Sequence, residues 1–218
     1  MDILNKCCDV YQKLRYKYYQ ILTGLKLLIL NKNHGRRNLF IKPILFSYRN
    51  IKLGSYVFIR DHGRIEAVVN YKGEKFNPLI TFEDKVAIEQ NVHITCANSV
   101  YISKNTAIAA NVTITDIDHP YTDINLPPEQ QDIVVGEVFI GEDCKIYNNV
   151  VILPNTRLGK HTVVGANSVV LGNNYPDFCV LVGTPAKVVK RYCFKRKAWL
   201  TTDKKGDFLD NDKKKDII

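Results

Sequence analysis

The sequence predicts an all-β coil, a three-sided prism of short parallel strands stacked along one axis, with a helical segment before it and a short extension after it. Three observations predict this. From position 140 an aliphatic residue recurs every six positions, as Ile140, Ile146, Ile152, Leu158, Val164 and Val170. Four residues after each of the first five stands a small or β-branched residue: Cys144, Val150, Thr156, Thr162 and Ser168. Both registers recur upstream, with Phe82, Ile88, Ile94, Ile102, Ile108 and Ile114 in the first and Val86, Val92, Thr106 and Val112 in the second.

A period of six fits neither the 3.6 of a helix nor the alternation of a hairpin sheet. Each hexad is read as one short strand plus a corner, the aliphatic side chain inside the prism and the small residue at the turn. Three hexads close one coil, and stacked coils bury a continuous aliphatic column. A β-sandwich would need hairpin turns such as Asn-Gly or Asp-Gly, and the sequence has neither. The step from Ile94 to Ile102 is eight residues, read as a bulge at a corner.

The repeat breaks once more, between Ile114 and Val134. Residues 115–133, TDIDHPYTDINLPPEQQDI, carry three prolines and five acidic residues and read as an ejected loop. Such a loop is free to present side chains that a coil cannot. His119 is its single histidine, and Pro120 biases it towards extended backbone. Imidazole titrates near neutrality, so it can take a proton from an alcohol.

Composition narrows the partners. A content of 45% hydrophobic residues excludes wholesale disorder, and no apolar run reaches the length of a membrane span or has the form of a signal peptide. With 31 Lys and Arg against 22 Asp and Glu, the net charge of +9 favours an anionic partner. Aromatic residues do not cluster among basic ones, so no nucleic-acid partner is expected. The six cysteines form no C-x-x-C pair, which points to a reducing, cytoplasmic setting and to Cys96 and Cys144 as core residues.

The hexads, together with the closing phrase GTPAKVVKR at 183–191, resemble the hexapeptide-repeat acyltransferases, which include galactoside, maltose and capsular-polysaccharide O-acetyltransferases. The resemblance implies a left-handed β-helix over 51–182, with residues 1–50 as an N-terminal helical segment and 183–218 as a C-terminal element and charged tail. It implies an O-acetyltransferase moving acetyl from acetyl-CoA to a sugar hydroxyl in surface-polysaccharide or glycolipid synthesis. It also implies a homotrimer and no metal. His119 takes the family's catalytic role, with Asp116 or a main-chain carbonyl as its orienting partner. Asn91 matches a family asparagine that holds the acceptor, or else is a corner asparagine tolerating a left-handed turn. His93, Asp118 and Tyr121 join it as expected acceptor-lining residues. Asn148 and Ala166 would offer main-chain groups to the pantetheine arm, and Lys187 and Lys190 would meet the phosphates. Lysine there, in place of the arginine common in the family, keeps charge but loses the bidentate fork. Lys145 and Tyr147 depart from the Trp and Gly of many sugar acetyltransferases.

Residues 1–30 place Cys7, Tyr11, Leu14, Tyr18, Ile21, Leu22, Leu25, Leu28 and Ile29 at three- and four-residue steps between basic residues. That is an amphipathic helix, expected either to pack on the coil or a neighbouring subunit, or to attach peripherally to the inner face of a membrane. Three other readings of the chain are an N-acetyltransferase acting on an amino sugar, a zinc enzyme resembling the γ-class carbonic anhydrases, and an inactive scaffold. The zinc reading would require three histidines to converge across two subunits, and His93, His119 and His161 do not show the spacing that family uses.

Overall fold

The computed structural model describes residues 2–203 and 206–209, with side chains from Cys8 onward. The side chain of Cys7 and most of the expected charged tail lie outside the described residues.

Helix α1 (Asp2–Leu30) is built from good helix formers with no proline. It stops at Asn31, whose side chain donates to Ile51 O at 2.7 Å and accepts from Asn33 N at 2.7 Å. The first coil opens at Leu39–Phe40, earlier than the expected start at Ile51.

From there the chain visits three faces in turn. Face I begins with seven parallel strands, among them Phe58–Ile59, Ala87–Ile88, Ala107–Ile108, Lys145–Ile146, Val163–Val164 and Cys179–Gly183. Face II has six, including Arg64–Ala67, His93–Cys96, Thr113–Thr115, Val151–Ile152 and Val169–Val170. Face III has six, including Leu79–Phe82, Ser99–Ile102, Glu137–Ile140 and Thr156–Leu158.

The register carries the sequence period into space. On face I, Ile88, Ile108, Ile146 and Val164 stand directly above one another. On face II the column is Ile65, Ile94, Ile114, Ile152 and Val170. All are fully buried. Each such side chain contributes about 1.5–3 kcal/mol relative to exposure, so the column is the main stabilising term.

One expectation needs correcting. The second-register residues Cys144, Val150, Thr156, Thr162 and Ser168 do not form the turns; they are buried beside the column. The turning residue is the one before each: Asp143, Asn149, Asn155, His161 and Asn167 have φ between 55° and 61°. Asn and Asp tolerate this left-handed region better than most residues. The residue after the turn points inwards at the narrow vertex of the prism, which is why it is small. Its hydroxyl, where present, donates to a main-chain carbonyl: Thr162 to Gly159 O within its own turn, and Thr106 to Gly141 O of the adjacent coil, both at 2.9 Å.

The eight-residue step from Ile94 to Ile102 is not a bulge. The two extra residues lengthen the strands to His93–Cys96 and Ser99–Ile102, with a corner at Ala97–Asn98. A hairpin also exists where none was expected. Asn70–Tyr71 pairs antiparallel with Glu74–Lys75 through Lys72 and Gly73, both at positive φ (49° and 89°). Those two left-handed residues match the twist of a tight two-residue turn.

Past Gly183 (φ 106°) the chain reverses, and Ala186–Cys193 pairs antiparallel on face I, followed by Ala198–Thr201.

Candidate active site

The II/III edge of the prism carries both departures from the coil. The hairpin leaves it after Arg64–Ala67, and the long loop leaves it after Thr113–Thr115. Between them lies the two-residue corner Ala97–Asn98. At the root of the loop Ile117–Asp118 pairs antiparallel with Val134–Val135, which closes residues 119–133 into a compact excursion.

Asp116 sits under that root and is completely buried. Its carboxylate accepts the N–H groups of Ala97, Asn98 and Ser99, each at 2.8 Å, and the Cys96 thiol at 3.2 Å. Burial, and then the Asp116 charge, push the Cys96 thiol well above its usual range. Both oxygens of Asp116 bond to the corner of the adjacent coil and none of these bonds reaches His119, for which sequence reasoning expected Asp116 or a main-chain carbonyl as the orienting partner. A carboxylate satisfied by three main-chain donors is a structural clamp.

The loop is organised from within by Gln131. Its amide nitrogen donates to Asp123 O at 3.0 Å and Leu126 O at 3.1 Å, and its oxygen accepts Asp123 N at 3.2 Å. The hairpin then holds the loop from outside. Lys72 Nζ donates to Glu129 O and, at 3.1 Å, to Gln131 O, while Tyr71 OH reaches Glu129 Oε1 at 3.5 Å. The exposed His119 imidazole meets the Tyr71 ring edge-on, with centroids 5.8 Å apart. Sequence reasoning missed Tyr71 and Lys72. Their signal was a Lys-Gly pair between Tyr and Glu, a left-handed turn written with Lys in place of Asn or Asp.

Asp118 lines a cleft of about 250 Å³ beneath the loop root, with Pro154, Asn155 and Gly172 opposite. Tyr121 stands out in solvent, 77% exposed. His93 lies on the outer surface of face II, where Thr95 Oγ1 contacts its Nε2 at 3.0 Å. Burial, then the Arg64 charge, hold its pKa below the usual value, which favours the neutral imidazole. His161 stacks on Phe178 at a III/I corner. Within one chain, His93 on face II, His119 on the ejected loop and His161 at a III/I corner therefore lie apart.

The I/II edge is regular. Its corner asparagines form a ladder along the axis: Asn91 donates to Asn111 at 3.1 Å, Asn111 to Asn149 at 3.1 Å and Asn149 to Asn167 at 2.8 Å. Asn91 has φ 56°, so it stands as a corner residue. Asn148 and Ala166 precede two of these corners. The main-chain N–H groups of their neighbours Tyr147, Asn149, Gly165 and Asn167 are all taken up by adjacent coils. Those of Asn148 and Ala166 have no protein partner among the described residues.

Lys187 and Lys190 lie on the reversing strand and are exposed. Residues three apart normally point to opposite sides of a strand. A bulge here, with Leu181 facing Val188 but Val180 facing Lys190, puts both lysines on the outer side of face I. Apart from His93 on face II and the buried Asp116, the expected residues therefore fall into two groups. Asn91, Asn148, Ala166 and the lysines lie along the I/II edge and face I; Asp118, His119 and Tyr121 lie on the II/III loop, across the width of face II.

Known proteins with this arrangement decide the family. Residues 137–172 match the model for the bacterial transferase hexapeptide, six repeats. A putative lipopolysaccharide biosynthesis O-acetyl transferase of Escherichia coli, WbbJ, is 35% identical over 167 residues, covering 70% of this chain and 85% of that protein. The chain belongs to the hexapeptide-repeat acetyltransferase family. A probable acetyltransferase of Mycobacterium tuberculosis is 34% identical over 140 residues, or 64% of this chain and 44% of its own length. Among solved structures, a single-residue variant of AntD, an N-acyltransferase from Bacillus cereus, in complex with dTDP and coenzyme A, has the same fold. It aligns with a TM-score of 0.65 at 18% identity, over 80% of this chain and 90% of that one.

Within this acetyltransferase, Cys144 is not equipped as a nucleophile: burial pushes its thiol up to about 12. A concavity of about 630 Å³ lies on face III between Tyr101, Phe139, Arg157 and Lys52, and none of the expected site residues lines it.

The clamp role of Asp116 gives a direct expectation. Asp116→Asn should lower unfolding stability by about 2–4 kcal/mol, because one of the three main-chain donors then faces an amide N–H. Thermal denaturation measures this. Unchanged stability with lost turnover would return Asp116 to the role of orienting His119.

Proposed function

We propose that this acetyltransferase transfers acetyl from acetyl-CoA to a sugar hydroxyl during surface-polysaccharide or glycolipid assembly, with His119 as general base. The observation that carries the reading is the placement of His119 at the mouth of the ejected loop, exposed to solvent yet braced by Tyr71 and the hairpin. The relative named for lipopolysaccharide biosynthesis supports the acceptor class. The coil is read as left-handed on the same family grounds, and the chain as acting on the cytoplasmic side.

His119 accepts the hydroxyl proton as the acceptor oxygen attacks the thioester carbonyl. The tetrahedral oxyanion is held by a main-chain N–H, for which the free donor at Asn148 is the candidate. When the C–S bond breaks, His119 returns the proton to the departing thiolate, so an ester and a thiol leave and the enzyme is unchanged. No covalent acyl-enzyme is required. The free N–H groups at Asn148 and Ala166 suit an extended amide chain running parallel to the axis, and the Lys187 and Lys190 pair suits phosphates at its end.

The width of face II lies between this donor line and His119 of the same chain. A second copy that brings its loop to the donor line completes the site, and the three-sided cross-section favours a closed ring of three. Light scattering should give about three times 24.9 kDa. A fully active monomer would remove shared sites.

His119→Ala should reduce turnover by about two to four orders of magnitude, with the affinity for acetyl-CoA nearly unchanged. Thiol release from acetyl-CoA with sugar acceptors is the assay. Residual activity within a few-fold of the parent would exclude His119 as the base, and acetylation of amino sugars alone would replace the hydroxyl acceptor with an amine.

Replacing both Lys187 and Lys190 with Gln should weaken acetyl-CoA binding by about 1–3 kcal/mol and flatten its salt dependence. Calorimetric titration with coenzyme A and dephospho-coenzyme A locates the charge. A smaller loss for the dephospho form would assign the lysines to the 3′-phosphate, whereas no loss for either would take them out of the donor site.

A further inference from the structure

The apolar stripe anticipated in residues 1–30 is present on α1, but it is not the face that packs on the prism. The helix seats itself through Thr23 and Leu27, both buried, through an ion pair from Arg15 to Asp61 at 2.6 Å, and through the edge of Tyr16 on Phe58. Thr23 Oγ1 also accepts Phe40 N at 2.9 Å.

The stripe points the other way. Tyr11, Leu14, Tyr18, Ile21, Leu25 and Leu28 follow one another at alternating three- and four-residue steps, and each is more than half exposed, with Leu28 at 73%. At about 100° per residue they occupy one continuous side of the helix, together with Val10 and Ile29.

Charge distinguishes the occupants of such a face. Lys13 and Lys17 flank one border of the stripe and Lys26 the other, while Asp9, the sole acidic residue from Cys8 to Leu30, falls on the packed side. The body of the protein adds cations on both borders. A cavity of about 390 Å³ beside Gly24 and Leu28 is lined by His34, Arg36 and Arg37, and one of about 260 Å³ beside Tyr18 and Leu22 is lined by Lys26 and Lys42.

A second copy of this helix would bring lysine against lysine with no acidic partner, and would bury the hydroxyls of Tyr11 and Tyr18 in the seam. A lipid surface satisfies every feature at once. Apolar side chains enter the acyl boundary, tyrosine hydroxyls stay at headgroup level, and cations on both borders meet anionic phosphates. Among the described residues no helix is long and apolar enough to cross a membrane, so the helix would lie in the interface plane.

We infer that the outward face of α1, with Arg36, Arg37 and Lys42 beside it, docks the protein on an anionic lipid surface. The inference does not depend on the identity of the acceptor or on His119. It is tested with the full chain and two kinds of vesicle, one of phosphatidylcholine alone and one with about a third phosphatidylglycerol. Cosedimentation should be roughly tenfold or more stronger on the anionic vesicles and should fall as salt is raised. The variant carrying Ile21→Glu, Leu25→Glu and Leu28→Glu should stay in the supernatant while keeping its thermal transition and its thiol release from acetyl-CoA, since all three are more than half exposed. A variant that loses its thermal transition is replaced by Lys13→Glu with Lys17→Glu, which should also abolish the preference for anionic vesicles. Absence of binding by the parent, equal binding to both vesicle types, or retained binding by the glutamate variants would each overturn the inference. So would a fall in oligomer mass on light scattering of those variants, which would mean that copies of this chain cover the stripe.

Discussion

Everything in this molecule depends on turning a chain every six residues with a single residue of left-handed backbone. That residue bends the strand sharply enough that the next side chain falls inside the vertex, where small or β-branched residues such as Cys, Val, Thr and Ser recur, and the aliphatic residue two positions further on lands above its counterpart in the preceding coil. The hydrophobic column is thus a consequence of corner geometry as much as of hydrophobicity. Packing is close enough that some corners exclude any side chain: a Cβ on Gly141 would lie 2.7 Å from the Gly159 carbonyl carbon of the next coil.

Such a coil offers little chemistry by itself, because its inner positions are sealed and its outer positions alternate at fixed spacing. Loops and hairpins enter where the period is interrupted, and interruption leaves main-chain donors without partners. Asp116 resolves this at the II/III edge. By accepting three N–H groups of the adjacent corner it restores the hydrogen bonding that the departing loop would otherwise cost, at roughly 1–3 kcal/mol for each unsatisfied buried group. The loop can then leave the coil without unravelling it, and Lys72 from the hairpin fixes its far side.

The aliphatic period was legible because each hexad repeats the same constraint, and the ejected loop was legible as a gap in that period. The role of Asp116 was not. In sequence it is two residues from Asp118 and three from His119, which suggests a catalytic neighbour; only the register of Thr113–Thr115 beside His93–Cys96 shows that it faces Ala97–Ser99 instead. The hairpin escaped for a different reason. Lys72 adopts a left-handed conformation at a steric cost that residue preferences do not anticipate, offset by its two bonds to the loop, and those bonds join residues 57 and 59 positions apart. The apolar stripe of α1 was legible as a stripe, but its direction was not, because Thr23 and Leu27 lie outside it and pack on the coil.

The three edges of the prism divide the work. At the III/I edge, glycines and carboxylates close the coils on one another: Asp84 accepts Ser55 N and Asp177 accepts Lys160 N, both at 2.7 Å, so these main-chain donors are spent within the protein. The II/III edge gives up regularity to project a loop and a hairpin. The I/II edge keeps its regularity but satisfies its asparagine side chains among themselves, and this leaves the N–H groups at Asn148 and Ala166 one coil apart. An extended amide chain can read such a spaced row of donors without any side chain dedicated to it. Repetition at one edge thus leaves a row of spaced main-chain donors, interruption at another projects a loop bearing an exposed histidine, and the width of face II holds the two apart within one chain.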